Sequence, residues 1–219
     1  MKLYLSSYKI GDKKEELRNW VKEHDNKIAL IANSRDMFPD GERKTNGIQS
    51  DVVDLASLGF EVELLDLRNY FGKPEELAKV FERIHSFYVI GGNTFVLRKA
   101  MMLSGFDELL KQYANDDNYL YSGYSAGICL LSKDMHAVAI MDEPDVNPYD
   151  DNLPPIYEGI GFINEAIIPH FESDHKETEA ASLAVDYCQN NKLPYITLHD
   201  GDVIVKDLLI KEYSKSGIK

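Results

Sequence analysis

The sequence has no long apolar run, and its first residues lead us to expect no export signal. None of its apolar stretches approaches the roughly 18 residues that a helix needs to cross a bilayer. The N-terminal segment becomes polar at Ser6 and Ser7, whereas a secretory signal continues through a longer apolar core. We therefore expect a protein that is neither exported nor bound to a membrane.

Basic residues and cysteines are also scarce. The 219 residues include 24 Lys and Arg against 37 Asp and Glu, a formal net charge of −13. This charge repels nucleic-acid phosphates and anionic lipid, and no local basic patch offsets it, so we expect neither as a partner. With only Cys129 and Cys188 and no export signal, we expect two reduced thiols in a cytoplasmic protein.

What the sequence does contain is typical of a globular domain. Hydrophobic residues make up 44% of the chain and charged residues 28%, which are ordinary fractions for a folded protein. A chain of this length buries roughly 70% of the surface that its unfolded form exposes, so it does not need disulfide bonds or a structural metal ion for stability. Since no linker, repeat or low-complexity stretch divides it, we predict a single domain over 1–219.

Short apolar segments alternate with helical patterns along the chain. The predicted strands, rich in β-branched and aromatic residues, are 2–7, 27–32, 60–67, 86–90, 119–122, 136–141, 166–169 and 195–198. The predicted helices are 13–24, 45–58, 75–83, 94–102, 106–113 and 175–189. Because this alternation produces parallel strands between helical layers, we predict an α/β fold of three layers, α/β/α, with a mostly parallel central sheet.

Two segments depart from the alternation. Asp200-Gly201 separates the apolar segments 195–199 and 202–205, which predicts an antiparallel C-terminal hairpin at the edge of the sheet. Residues 142–152 (DEPDVNPYDDN) concentrate Asp, Pro and Asn and indicate a long surface loop. This loop is either simply solvated or covers a functional site, as long loops in compact domains often do.

The strongest chemical signal lies in residues 119–129 (YLYSGYSAGIC). A strand leads into Gly123-x-Ser125-x-Gly127 and then into a short apolar helix, which is typical of a nucleophile elbow. The sharp turn exposes the serine hydroxyl, and the N-terminus of the helix favours developing negative charge. The alternative is a structural Gly-Ser turn.

A second glycine turn, Gly91-Gly92-Asn93-Thr94, follows the fourth predicted strand. Acyl transfer needs two amide donors for the oxyanion, and we predict the amides of Gly92 and Ala126 for this role. Asn93 is a candidate substrate-binding residue. Asn93 or Thr94 is also suited to cap a helix, and both roles can hold together.

A serine nucleophile needs a base, and six histidines are available. We predict His170, because it follows an apolar strand at the sheet edge where α/β sites assemble. The acid that orients it stays open among five residues: Asp142, Glu143, Glu172, Asp174 and Glu177. The cluster at 170–177 (HFESDHKE) lacks a recognised metal-ligand spacing, so we expect no metal.

Together these segments resemble the peptidase E family, serine dipeptidases that cleave after an N-terminal aspartate. The matching motifs are VIGGNTF (89–95), YSGYSAG (121–127) and IIPHF (167–171). The resemblance implies a fold like that of class I glutamine amidotransferases and hydrolysis of small peptides without a cofactor. It implies Ser125 as nucleophile, His170 as base, and Gly92 and Ala126 as oxyanion donors.

For the third catalytic residue, the resemblance implies Asp142 or Glu177. Asp142 lies between the serine and the histidine, whereas Glu177 begins a Glu-Thr pair after the histidine. We favour Glu177 slightly, because Asp142 lies in a loop that is longer here than in the family.

The family's Asp-specific members carry arginines just after the Glu-Thr pair, suited to bidentate binding of a carboxylate. This chain has Glu179, Ala180 and Ala181 there. We expect a serine peptidase, and Asp-X specificity would require another cation, with Arg35 and Arg98 as candidates. The alternatives are an esterase with the same elbow and a silent paralogue that binds a peptide or metabolite. A second copy of the chain, in a homodimer, is kept open as a partner.

Overall fold

A six-stranded sheet forms the centre of the computed structural model, which describes residues 1–149 and 152–208. The strands are, in chain order, β1 (Lys2–Ser6), β2 (Lys27–Ile31), β3 (Glu61–Leu64), β4 (Ser86–Val89), β5 (Leu120–Tyr124), β6 (Ala166–Ile168), β7 (Tyr195–Thr197) and β8 (Val203–Asp207). The order in the central sheet is β3-β2-β4-β5-β1-β8. All pairs are parallel except β1 with β8, which is antiparallel.

Helices connect these strands and cover both faces of the sheet. They are α1 (Lys14–His24), α2 (Glu42–Ser57), α3 (Pro74–Phe81), α4 (Thr94–Ser104), α5 (Phe106–Gln112), α6 (Ala126–Cys129) and α7 (Thr178–Asn191). Short 3₁₀ turns occur at Asn33–Arg35, Leu67–Tyr70 and Val138–Ile140. No helix in the described part of the chain is long and apolar enough to cross a membrane.

Alternate side chains of the central strands enter two separate cores. Ile31 and Val89 pack with α3, α4 and α5 on one face, whereas Leu30 and Tyr88 pack with α1 and α2 on the other. This alternation follows from the two-residue period of a strand, and it explains why the strands are nearly continuous apolar runs. The predicted three-layer fold with a mostly parallel sheet is confirmed.

The predicted C-terminal hairpin is wrong in its pairing, although the antiparallel edge of the sheet exists. β7 pairs in parallel with β6 in a separate two-stranded sheet, whereas β8 pairs with β1. The Asp200-Gly201 turn therefore carries the chain from the small sheet to the central one. Helix α7 covers the small sheet, where Ala181, Ala184 and Cys188 pack against Ala166 and Ile168.

The strand predicted over 136–141 is also wrong. This segment forms the 3₁₀ turn Val138–Ile140, with Ala137 and Val138 buried in two different cores. A short apolar run cannot distinguish a buried strand from a buried helical turn, because both are continuously apolar. The predicted loop 142–152 includes residues 150 and 151, and the predicted domain includes 209–219; these lie outside the described residues.

Candidate active site

Ser125 lies on the sharp turn between β5 and α6. Its φ of 51° and ψ of −122° are unusual for a residue other than glycine, and such strain is found mainly at functional sites. A Cβ atom at Gly127 would lie 2.2 Å from the carbonyl oxygen of Val89 on β4. Glycine at this position therefore allows α6 to pack directly against the neighbouring strand. The local geometry is that of a nucleophile elbow.

The second glycine turn lies beside the elbow, at the carboxyl end of β4. A Cβ atom at Gly92 would lie 2.4 Å from the carbonyl oxygen of Ser34. The Ser34 hydroxyl lies 2.8 Å from the carbonyl oxygen of Ile90 and 3.0 Å from that of Gly91, so its single proton is donated to one or shared between them and holds the turn in place. The Gly92 amide donates to no acceptor among the described residues, so this N–H remains available to a ligand.

These two turns border a cavity of about 360 Å³. Ser125, His170, Gly92, Asn93, Asp142 and Glu177 all line it, as does Glu143, whereas Ala126 is buried next to Ser125 in the chain. The other two candidate acids, Glu172 and Asp174, do not line the cavity. The structure thus brings together residues from β4, β5, the 142–149 segment and the segment that precedes α7. They are far apart in sequence and meet because the carboxyl ends of parallel strands share one edge of a sheet.

His170 lies at this edge, just past the end of β6, with its side chain 1% exposed. Its backbone adopts a φ of 62°, and its amide donates to the Ser7 hydroxyl (2.9 Å). The ring Nδ1 lies 2.7 Å from a carboxylate oxygen of Asp200. That contact assigns the proton to Nδ1, which leaves Nε2 as a proton acceptor.

Asp200 is a site residue that the sequence analysis did not identify. It lies just past the end of β7, and its neighbours support it: Ser7 donates to its carboxylate (2.9 Å), and its own amide donates to Ser173 (2.8 Å). The sequence does contain a signal that could have identified Asp200, because His170 and Asp200 each follow an apolar strand. Since β6 and β7 pair in parallel, both residues emerge at the same end. The predicted hairpin assigned Asp200 to a turn, so its position beside His170 was not recognised.

The two predicted candidates for the third catalytic residue contact other groups. Glu177 lies on the opposite side of the ring from Asp200, with 3.8 Å between its Oε2 and His170 Nε2, too far for a hydrogen bond. Asp142 accepts from the amide (2.8 Å) and hydroxyl (2.6 Å) of Thr94 at the start of α4. No hydrogen bond or ion pair joins Asp142 to His170 within 1–149 and 152–208.

Asn93 lines the cavity, but its side chain already has protein partners. Its Oδ1 accepts from the amides of Phe95 and Val96, both at 2.9 Å, which makes it the N-cap of α4. Its Nδ2 donates to the carbonyl oxygen of Glu143 (2.9 Å). Asn93 and Thr94 therefore attach the beginning of the 142–149 segment to the site, so this segment forms part of the cavity wall.

Burial shifts the pKa values of His170 and Asp142 in opposite directions. Desolvation of the His170 ring lowers its pKa, and the nearby His175 lowers it further. The hydrogen bond to Asp200 and the negative charge of Glu177 raise it, but the net shift is downward. Burial raises the pKa of Asp142 to about 6, although the hydrogen bonds from Thr94 act in the other direction. His170 is therefore neutral near pH 7, as a general base requires.

One cluster among the described residues has the donor atoms for a metal ion: those of His170, His175 and Glu177 lie within 4.8 Å of one another. However, the two imidazole rings are stacked, with centroids 3.8 Å apart and planes 12° from parallel. The lone pairs of parallel rings lie in separate planes, so they cannot converge on one ion unless a ring rotates. The donor arrangement is therefore poorly suited to a metal.

The two arginines considered as carboxylate-binding groups are both engaged. Arg98 is buried away from the cavity, where it donates to Asp107 (2.7 Å) and to the carbonyl oxygen of Glu158 (3.0 Å). Arg35 does line the cavity, but it donates to Asp51 (2.9 Å). Meanwhile, the carboxylates that line the cavity are those of Asp142, Glu143 and Glu177.

Known proteins of one peptidase family match this chain. A model of peptidase family S51 matches residues 12–207. The uncharacterized peptidase Lin0382 of Listeria innocua is 26% identical over 153 residues, which cover 70% of this chain and 69% of that protein. The uncharacterized peptidase Lmo0363 of Listeria monocytogenes is 24% identical over 177 residues, with 79% and 82% coverage.

Solved structures show the same fold. A Listeria monocytogenes EGD-e protein described as a candidate peptidase E has a TM-score of 0.72 and 22% identity, covering 95% of this chain and 98% of its own. A peptidase from an acI-B1 Actinobacterium has a TM-score of 0.64 and 17% identity, with 94% and 82% coverage. Since the family model spans nearly the whole described chain, this protein belongs to peptidase family S51 and is a serine peptidase.

Proposed function

We propose that this peptidase hydrolyses short peptides through an acyl-enzyme on Ser125, with His170 as general base and Asp200 as the acid that orients it. The observation that carries the proposal is the 2.7 Å contact between Asp200 and Nδ1 of His170, a residue that lines the same cavity as Ser125. This contact holds the ring in the tautomer whose Nε2 accepts a proton. Asp200 thus takes the place that the sequence analysis gave to Glu177 or Asp142.

The reaction follows from these positions. Ser125 Oγ attacks the carbonyl carbon of the peptide bond while its proton passes to His170 Nε2, and the amides of Gly92 and Ala126 bind the oxyanion. His170 then gives the proton to the leaving amine as the C–N bond breaks. Water, deprotonated by His170, attacks the ester and releases the free acid. No step requires a cofactor.

The charges around the cavity favour substrates without an acidic N-terminal residue. Arg35 and Lys9 both bind Asp51, at 2.9 and 2.7 Å, so neither is an uncompensated cation. Lys176 also lines the cavity, but it pairs with Glu177 at 3.3 Å. The carboxylates of Asp142 and Glu143 have no such cation among the residues that line the cavity, and they would repel an aspartyl side chain. We therefore propose a preference for uncharged leading residues, such as asparagine, over aspartate.

A dipeptide panel tests this preference. We expect kcat/KM for Asn-leading dipeptides to exceed that for their Asp-leading counterparts by about tenfold or more, since like charges at a binding site cost upwards of 1.4 kcal/mol. Asparagine and aspartate have the same shape, so the ratio isolates charge. Best activity on Asp-leading dipeptides would contradict the proposed preference, and turnover of esters alone would favour the esterase alternative.

The pH profile of kcat/KM tests the role of His170. Because the folded pKa of His170 is lowered, the neutral base persists below the usual histidine range, and we expect the acidic limb to have its midpoint below pH 6.5. Asp142 titrates nearby, with a pKa of about 6. The limb should therefore persist in Asp142→Asn, and its disappearance in that variant would assign it to Asp142 instead.

A cytoplasmic location is also proposed. Cys129 and Cys188 are both buried and both free of disulfide bonds, which is the usual state of cysteines in a reducing compartment.

A further inference from the structure

A charged cluster beneath the cavity connects three of the loops that build the active site. Asp51 of α2, with its side chain 1% exposed, binds Lys9 from the β1–α1 loop at 2.7 Å and Arg35 from the loop after β2 at 2.9 Å. It also accepts from the hydroxyl of Tyr124, at 3.1 Å. Tyr124 immediately precedes Ser125, so the cluster reaches the elbow itself.

Arg35 continues this network to the second glycine turn. Its Nε donates to the carbonyl oxygen of Gly91 at 3.2 Å, and its NH2 group donates to both Asp51 and Tyr124. The Gly91 carbonyl and the Gly92 N–H belong to one planar peptide unit, so fixing the oxygen also fixes the direction of the N–H. The Ser34 hydroxyl also lies 3.0 Å from this oxygen, so Arg35 adds a second, charged donor to a peptide between two glycines, whose backbone is otherwise permissive.

Helix α2 leaves space for this guanidinium. Gly47 lies within the helix, where glycine is less favourable than alanine. A Cβ atom at Gly47 would lie 2.7 Å from Arg35 NH1, so the guanidinium would have to shift, and its bonds to Gly91, Asp51 and Tyr124 oppose that shift. The absence of a side chain at position 47 therefore lets Arg35 pack along the helix and reach Asp51.

We propose that Arg35 is a positioning residue for the oxyanion hole: held by Asp51 and accommodated by Gly47, it orients the Gly92 amide towards the reacting carbonyl. The inference rests on the proposed function, since it assumes an oxyanion at Gly92. A cationic donor on the Gly91 carbonyl also polarises the shared peptide and makes the Gly92 N–H a stronger donor. Arg35 thus acts on the transition state through the backbone, without touching substrate.

Two variants test the proposal from opposite directions. Gly47→Ala places a methyl group against the Arg35 guanidinium and raises the helix propensity of α2. Arg35→Lys keeps the charge but removes the planar guanidinium, whose several N–H donors bind Gly91, Asp51 and Tyr124 at the same time. For both we expect kcat to fall about 10- to 100-fold with KM nearly unchanged, less than the loss of a whole oxyanion donor. The rate of phosphonylation of Ser125 by a fluorophosphonate should fall in parallel.

Asn46→Ala is the matched control, because it adds alanine to an exposed position of the same helix away from Arg35. We expect Gly47→Ala to lose activity with only a small change in Tm, because the gain in helix propensity offsets the disturbed Arg35–Asp51 pair, and Asn46→Ala to lose none. Wild-type kcat in Gly47→Ala, or a raised KM with kcat unchanged, would overturn the role of Arg35. If the wild type itself is not phosphonylated at Ser125, the proposed function fails, and this inference fails with it.

Discussion

Replacement of Ser125 by alanine is expected to abolish peptide hydrolysis and leave the fold intact. The variant lacks the oxygen that forms the acyl-enzyme, and removal of a serine nucleophile lowers kcat by roughly 10⁶-fold in a comparable triad. The side chain of Ser125 donates no hydrogen bond to another described residue, and alanine tolerates the φ of 51° about as well as serine does. The change in stability should therefore stay within about 0.5 kcal/mol.

The measurement compares kcat on the dipeptide panel with the Tm of each protein. Mass spectrometry after fluorophosphonate treatment should place the label on Ser125 in the wild type and show none in Ser125→Ala. Ser182→Ala is the matched control, since Ser182 is an exposed serine on α7 whose hydroxyl donates to the carbonyl oxygen of Thr178 (3.0 Å). Hydrolysis that survives in Ser125→Ala would exclude the acyl-enzyme on this residue.

The second large effect is expected for Asp200→Asn, with a loss of turnover on the order of 10³- to 10⁴-fold. Asparagine keeps the size of the side chain, but its amide donates to His170 Nδ1. The proton then lies on Nε2, which can no longer accept the proton of Ser125. Because the substrate does not contact Asp200 in this scheme, kcat should fall far more than KM changes.

Glu177→Gln separates Asp200 from the other candidate acids. Glu177 faces Nε2 at 3.8 Å, so it cannot select the Nδ1–H tautomer, and its substitution should have a much smaller effect on kcat. Asp142→Asn should behave similarly, because the carboxylate of Asp142 binds Thr94. Equal losses in Asp200→Asn and Glu177→Gln would be incompatible with orientation of the base by Asp200 alone.

The order of strands and helices could be predicted because it depends on local periodicity. Near-continuous apolar runs of four to six residues form strands whose alternate side chains enter both cores, as Leu30 and Ile31 do. The elbow at Ser125 was predictable for a related reason, since its strand, turn and helix are consecutive in sequence. His170 followed from the same reasoning, because a polar residue directly after an apolar strand lies at the sheet edge.

Strand pairing could not be predicted in the same way. An Asp-Gly turn between two apolar segments is compatible with a hairpin, and only the packing of α7 on β6 and β7 forms a separate sheet there. The segment 136–141 shows the same limit, because continuous burial leaves no periodic signal to separate a strand from a 3₁₀ turn.

The sequence by itself therefore predicted Ser125 as the nucleophile and His170 as the base, and it indicated the layered fold and the peptidase family, because each prediction rests on short motifs or on local periodicity. Only the tertiary structure decided that Asp200 rather than Asp142 or Glu177 contacts His170 Nδ1, and that Arg35 binds Asp51 instead of remaining available to a substrate carboxylate. Both contacts join residues that are not neighbours in the sequence. They arise from strand pairing and helix packing, which place side chains within hydrogen-bond range irrespective of their separation along the chain.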